Sequence, residues 1–267
     1  MFDTRLTPDK DEKPLDYLVT DGGYCGIFRR IGVVGDSLAS GEFEGTKEDG
    51  SKSYHDFIED YSWGKFLARA CGSEAYVFSR GGMTAKEYCE SFAEANGFWD
   101  KDKACQCYII ALGVNDVYNR KMSIGSVADI CPEDYTKNAD TFAGWYARIV
   151  QRYKEIQPDA KFFFVTTPPD GGTPERVKLT EEMAELMRSF AEYFDNSYVI
   201  DLHRYAVEFT GELRENMYLG GHLTPTGYIL VSRMIGSYID YIIRHNPKDF
   251  KQVGFIGTPF KNNTVCD

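Results

Sequence analysis

Ile31-Gly32-Val33-Val34-Gly35-Asp36-Ser37-Leu38 is the stretch on which the fold turns. Its first four residues form a short apolar run, and Gly35 closes it, which predicts a buried strand that ends in a tight turn. The same unit returns along the chain. Ala75 to Phe78, Cys105 to Leu112, Lys161 to Val165 and Tyr198 to Leu202 read as four further strands. Helical patterns separate them. Trp63, Phe66, Leu67 and Ala70 share a face, and a helix is expected over 84–95. Over 132–156 the apolar positions Tyr135, Ala139, Phe142, Trp145, Ile149, Tyr153 and Ile156 step by three and four. Leu179, Met183, Leu186, Phe190 and Phe194 make a stripe over 175–194, and Thr224-Pro225 opens a last helix that runs to about His245. Residues 39–56 read as a polar loop. Five apolar strands alternating with helices predict an α/β fold: three α/β/α layers over a five-stranded parallel sheet with right-handed crossovers. A polar N-terminal arm (1–27) and a polar C-terminal tail (247–267) flank this domain (28–246).

Composition narrows the function. Among 267 residues, 41 acidic side chains oppose 30 basic ones, for a net charge of −11. Such a surface repels phosphate backbones and anionic lipid, so no nucleic acid partner is expected. The longest apolar run is the six residues Cys107 to Leu112, far short of the roughly 20 that span a bilayer. The N-terminal stretch has no apolar core of a secretory signal. The seven cysteines are odd in number and form no C-x-x-C pair. Cys105 and Cys107 alternate within a predicted strand and should share a face. Buried free thiols and a cytoplasmic location are therefore expected. No H-E-x-x-H, Walker or dinucleotide fingerprint occurs, so no metal and no cofactor is expected. Nothing in the sequence sets the oligomeric state.

In parallel sheets flanked by helices, ligands bind beyond the carboxyl ends of the strands. Three small motifs lie there. Gly35-Asp36-Ser37-Leu38 follows strand one, Ser79-Arg80-Gly81-Gly82-Met83-Thr84 follows strand two, and Gly113-Val114-Asn115-Asp116 follows strand three. Each alone is consistent with an ordinary polar turn. Together they offer a hydroxyl, a glycine N–H open to a ligand, and a side-chain amide. A base is needed to take the hydroxyl proton. Of the histidines at 55, 203, 222 and 245, His245 falls in a last helical turn, where it complements the helix dipole. His222 lies in Gly220-Gly221-His222-Leu223-Thr224-Pro225, where glycines allow close approach of a bound group, and is the preferred base.

These four blocks, in this order, resemble the SGNH (GDSL) hydrolase family of serine esterases and lipases across residues 28–246. The resemblance implies a flavodoxin-like domain and a small-molecule ester substrate. It implies catalytic roles for Ser37 as nucleophile, His222 as base, and Gly82 and Asn115 as oxyanion donors, with an acyl-enzyme intermediate. One position departs from the family pattern. Leu219 stands where the histidine block usually carries aspartate three residues before the histidine. Asp201, at a strand end, is the best candidate for the third triad member; a backbone carbonyl is the other candidate for orienting His222. Residues 39–56 carry Glu42, Glu44, Glu48 and Asp49 against Lys47 and Lys52, which suits small neutral esters, acetylated sugars among them. A carbohydrate- or ligand-binding module that has lost catalysis, or an acyltransferase on the same fold, is the alternative.

Overall fold

The computed structural model describes residues 8–169 and 171–263, so Cys266 lies outside the described residues. β1 (Arg30–Gly35) runs directly into α1 (Ser37–Ser40). A hairpin of β2 (Glu42–Thr46) and β3 (Lys52–Asp56) follows, then α2 (Ile58–Tyr61), α3 (Trp63–Cys71) and β4 (Glu74–Ser79). From Ala85 to Ala95 the chain is one helical unit, α4 (Ala85–Glu87) and α5 (Ala93–Ala95) joined by a π turn over Tyr88–Phe92. β5 (Cys107–Ala111), α6 (Phe142–Ile156), β6 (Lys161–Val165), α7 (Pro174–Tyr193) and β7 (Ser197–Ile200) then alternate. Beyond them come α8 (Leu202–Tyr205), α9 (Gly211–Met217), the short strands β8 (Tyr218–Leu219) and β9 (His222–Leu223), and α10 (Pro225–His245).

The main sheet has the order β4-β1-β5-β6-β7, and every pairing in it is parallel. This is the three-layer architecture that the alternation of strands and helices predicts. Consecutive strand residues face opposite layers. Val34, Phe78, Ile110, Phe162 and Phe164 pack with the buried faces of α6 and α7, while Val33, Ile109 and Phe163 pack with those of α3 and α10. With both faces covered, the middle residues of the strands are mostly apolar, which is why they read so clearly as runs. The segments outside the sheet join the second core. Cys25 and Phe28 are buried there, as are Phe250, Val253 and Ile256. Arg244 on α10 binds Glu12 at 2.5 Å and Asp240 at 2.8 Å, which ties the N-terminal arm down. Among the described residues, no helix is long and apolar enough to cross a membrane.

Three expectations are corrected. The helix predicted over 132–156 begins only at Phe142. Before it, Asn138 Oδ1 accepts from Cys131 N at 2.8 Å, the Asp134 carboxylate accepts from Thr136 N at 3.0 Å, and Thr141 Oγ1 accepts from Gly144 N at 3.1 Å. Short polar side chains compete for the backbone there, and Tyr135 falls in a 3-10 turn. Cys105 and Cys107 do not share a face. Cys105 precedes β5 and packs with Tyr108 on the α6 side, while Cys107 packs on the α10 side. The stretch read as a polar loop, 39–56, is an antiparallel hairpin with Glu42 opposite Asp56 and Glu44 opposite Tyr54.

Candidate active site

Ser37, Gly82 and Asn115 leave the same end of three adjacent strands. Gly35 of β1 is in register with Ser79 of β4 on one side and Ala111 of β5 on the other. Ser37 is the first residue of α1, and the Asp36 carboxylate caps that helix by accepting from Leu38 N at 3.1 Å. Gly82 adopts φ +70°, and a Cβ there would project into open space. An L side chain would thus be strained and would fill the approach to the backbone. Asn115 opens a π turn over Asn115–Asn119. Asn119 Nδ2 donates to Asn115 Oδ1 at 2.7 Å, which turns Asn115 Nδ2 toward Met83 O at 3.1 Å and Asp36 Oδ2 at 3.4 Å.

Two buried carboxylates brace this arrangement from behind. Asp116 is fully buried and accepts from Ala85 N at 2.9 Å and 3.1 Å, tying the chain just past the Gly82 loop to the end of β5. Burial pushes its carboxyl up to about 6, although the backbone N–H groups pull the other way. Burial, opposed by the Leu38 N–H and assisted by the charge of Asp116, pushes Asp36 up to about 7.

His222 approaches on β9, which packs against α1 and β2. Its Nε2 lies 2.8 Å from Glu42 Oε1, and its Nδ1 lies 3.6 Å from Glu44 Oε2. The two glutamates alternate on β2 and bracket the ring. Burial holds His222 below the usual imidazole range, with Glu44 and Asp56 pulling upward and Lys52 downward. Glu42 is pushed up to about 7, first by burial and then by the charges of Asp56, Asp36 and Glu44. Glu44 is held below the usual carboxylate range, first by Lys52 at 2.5 Å and then by Gly221 N, which donates to it at 3.2 Å. The glycines make room for these carboxylates. A Cβ at Gly81 would collide with Glu42, and one at Gly220 would lie 2.7 Å from Glu44 Oε2. The ring of Tyr54, itself 50% exposed, meets His222 edge-on with centroids 5.6 Å apart. Among the described residues, no hydrogen bond joins Ser37 to His222. In unliganded sites such bonds are often long and tighten only around substrate.

A family model of GDSL-like lipases and acylhydrolases matches residues 33–230. The chain belongs to the GDSL-like lipase/acylhydrolase family. This GDSL-family chain shares its fold with several solved proteins. A Clostridium thermocellum family two carbohydrate esterase, solved in complex with cellohexaose, aligns with TM-score 0.55 and 19% identity over 89% of this chain and 66% of that one. Est24, a carbohydrate acetylesterase from Sinorhizobium meliloti, aligns with TM-score 0.54 and 15% identity over 80% of this chain and 99% of that one. TesA aligns with TM-score 0.52 and 16% identity over 80% and 99%. At these identities the likeness is one of fold. No curated protein matches the chain. Family membership places it among the esterases and acylhydrolases.

The carboxylates beside the histidine of this GDSL-family chain are not the one expected. Asp201 sits at the end of β7, but it faces α7. Arg188 binds it at 2.8 Å and 3.3 Å, Thr166 Oγ1 donates to it at 3.3 Å, and it accepts from Arg204 N at 3.2 Å. The partners of His222 come instead from the hairpin. Leu219 pairs with His222 across β8 and β9, and its side chain is exposed. His203 Nδ1 pairs with Glu181 at 3.2 Å, and His245 stacks on Tyr241, so neither is at the site. Among the described residues, no group of three His, Cys, Asp or Glu side chains is arranged to hold a metal ion. The hairpin had a sequence signal: Asp49-Gly50 is a favoured turn pair between two short runs. Its strands carry charges where core strands carry apolar residues, so the apolar-run criterion passes over them.

Proposed function

We propose that this chain is a serine esterase that hydrolyses small, neutral acyl esters through an acyl-enzyme on Ser37. The observation that carries this reading is the convergence of Ser37, Gly82 and Asn115 at one end of β4-β1-β5, with His222 on the strand that packs against α1. His222 Nε2 takes the proton of the Ser37 hydroxyl as Oγ attacks the acyl carbon. The oxyanion is held by Ser37 N–H and Gly82 N–H, and by Asn115 Nδ2, which exchanges its longer contact with Asp36 Oδ2, at 3.4 Å, for the oxyanion. The imidazolium passes its proton to the departing alkoxide. Water, deprotonated by the same nitrogen, then releases the acid and restores Ser37. Glu42 occupies Nε2 in the resting site, so it withdraws from Nε2 as Ser37 engages.

The surroundings support the substrate class. Of the charged groups that act on the ring, Glu44 and Asp56 outnumber Lys52, which opposes polyanionic esters. Glu42 packed over Gly81 narrows the space beside the oxyanion loop and favours short acyl groups such as acetyl. The exposed ring of Tyr54 next to His222 offers a stacking face for a sugar leaving group, in keeping with the carbohydrate esterases that share the fold. The catalytic unit is residues 28–246. Free, buried Cys25, Cys89, Cys105 and Cys107 accord with a reducing cytoplasm.

The test is labelling with a fluorophosphonate together with a panel of p-nitrophenyl esters of increasing acyl length. The label is expected on the peptide that holds Ser37, with the fastest turnover on acetate. Ser37→Ala should lose the label and lower kcat by about 10⁶-fold, the scale seen when a serine nucleophile is removed. A wild-type protein inert to the probe and to every ester would overturn the reading.

A further inference from the structure

We propose that Glu44, projecting from β2, is the carboxylate that positions His222 through Nδ1, in place of the aspartate that Leu219 displaces. The inference rests on the esterase reading for its catalytic meaning, but the pairing itself stands on geometry. His222 Nδ1 is buried and has no hydrogen-bond partner, and Glu44 Oε2 is 3.6 Å away. A shift of about 0.5 Å brings that pair into ordinary hydrogen-bond range. Glu44 is itself fixed. Lys52 grips it at 2.5 Å from the neighbouring strand, and Gly221 N donates to it at 3.2 Å from the loop that carries the histidine. Gly220 leaves no side chain between that loop and the carboxylate. Gly220 thus lets the histidine loop close down on Glu44.

The groups that face the ring are few. β2 contributes Glu42 at Nε2 and Glu44 at Nδ1; β3 contributes Lys52, Tyr54 and Asp56; Asp36, which caps α1, acts through its charge on Glu42. Glu44 is held ionised by Lys52 and Gly221, so it accepts and does not donate. Nδ1 therefore carries the proton, and Nε2 presents its lone pair. A protonated Glu42 donating to Nε2 in the resting site fits the same tautomer. During turnover the Nδ1 proton stays on the imidazole, and the Ser37 proton goes to Nε2 and on to the alkoxide. Glu44 touches no substrate; it acts through His222 as a positioning residue.

The experiment is NMR of the full chain carrying ¹³C,¹⁵N-histidine, read alongside the pH profile of kcat/KM on one activated acetate ester. In the wild type, neutral His222 should show the Nδ1–H tautomer. Glu44→Gln keeps an acceptor but loses the counter-charge, so the His222 titration and the acidic limb should both move to lower pH by about 0.5–1 unit. Glu44→Leu should lower kcat by about 10²-fold or more, as the ring loses its orientation, and Leu219→Asp in that background should recover part of it. Asp201→Asn should leave the His222 titration in place. An Nε2–H tautomer in the wild type overturns the proposal, and that spectrum needs no variant to fold. So does an unmoved titration in Glu44→Gln, or one that moves in Asp201→Asn. The NMR readout requires no turnover. Loss of the esterase reading, seen as a Ser37→Ala protein that keeps label and activity, would therefore register separately from loss of the Glu44 pairing.

Discussion

The proposed oxyanion half of the site stands on three adjacent strands of a parallel sheet, β4, β1 and β5, whereas the histidine half rests on two small antiparallel hairpins. Behind Gly82 and Asn115 lie buried carboxylates that bind backbone N–H groups, and behind those lies a core of aromatic side chains. Around His222 lie β2, β3, β8 and β9, whose outer residues, Lys52, Tyr54 and Leu219 among them, are open to solvent. The difference matches two demands of one reaction. Donors to a developing oxyanion help most when they need no reorganisation. A base that must release one partner and engage another needs room to shift, and short ribbons at the surface supply it.

If the sheet-built half is preorganised, its removal should tell in the transition state. Asn115→Ala should lower kcat by about 10²–10³-fold, equal to about 2.7–4 kcal/mol, with KM little changed. A KM effect with unchanged kcat would mean that Asn115 binds substrate in its ground state, and the contrast between the halves would fail. The brace behind the loop can be probed by stability. Asp116→Ala leaves the buried Ala85 N–H without its acceptor and should cost about 2 kcal/mol in urea unfolding. A variant as stable as wild type would show that this half is held by packing alone.

Glu42 sharpens the other side of the comparison. Its folded carboxyl lies near 7, above the ordinary 4.5. A carboxyl raised on folding contributes stability that is fully present below its unfolded pKa and is lost as pH rises through the folded one. Wild-type stability should therefore fall between about pH 4.5 and 7 from this group. Glu42→Gln should match wild type at pH 4 and exceed it by about 1 kcal/mol at pH 8, allowing for partial solvent screening. Equal stability at pH 8 would place Glu42 in a more hydrated setting than its position over Gly81 indicates.

What the sequence disclosed follows the same division. The strands announce themselves because burial on both faces demands unbroken apolar runs, and the turns after them hold Gly, Asp, Ser and Asn at fixed offsets. From that pattern Ser37, Gly82 and Asn115 are placed at one end of the sheet before any register is known. The partners of His222 depend on pairing between segments far apart in the chain: Glu44 meets Gly221 across 177 residues. No local periodicity encodes such a contact. Asp201 illustrates the converse. Its position at a strand end is legible, but the direction of its side chain is fixed by Arg188 on α7, which only the packed structure reveals. The helix expected over 132–156 shows that a stripe of apolar positions can be satisfied on paper while Asp134, Asn138 and Thr141 hold the backbone otherwise.

The ring of carboxylates around His222 bears on what leaves the site as much as on what enters. Ester cleavage by the proposed route turns an uncharged group into an alcohol, an anion and a proton. The new anion is born beside Glu44, which Lys52 holds ionised, and beside Asp56, so repulsion drives it outward. By that route, a pocket of this charge favours entry of a neutral ester, speeds release of the acid and weakens its rebinding as product.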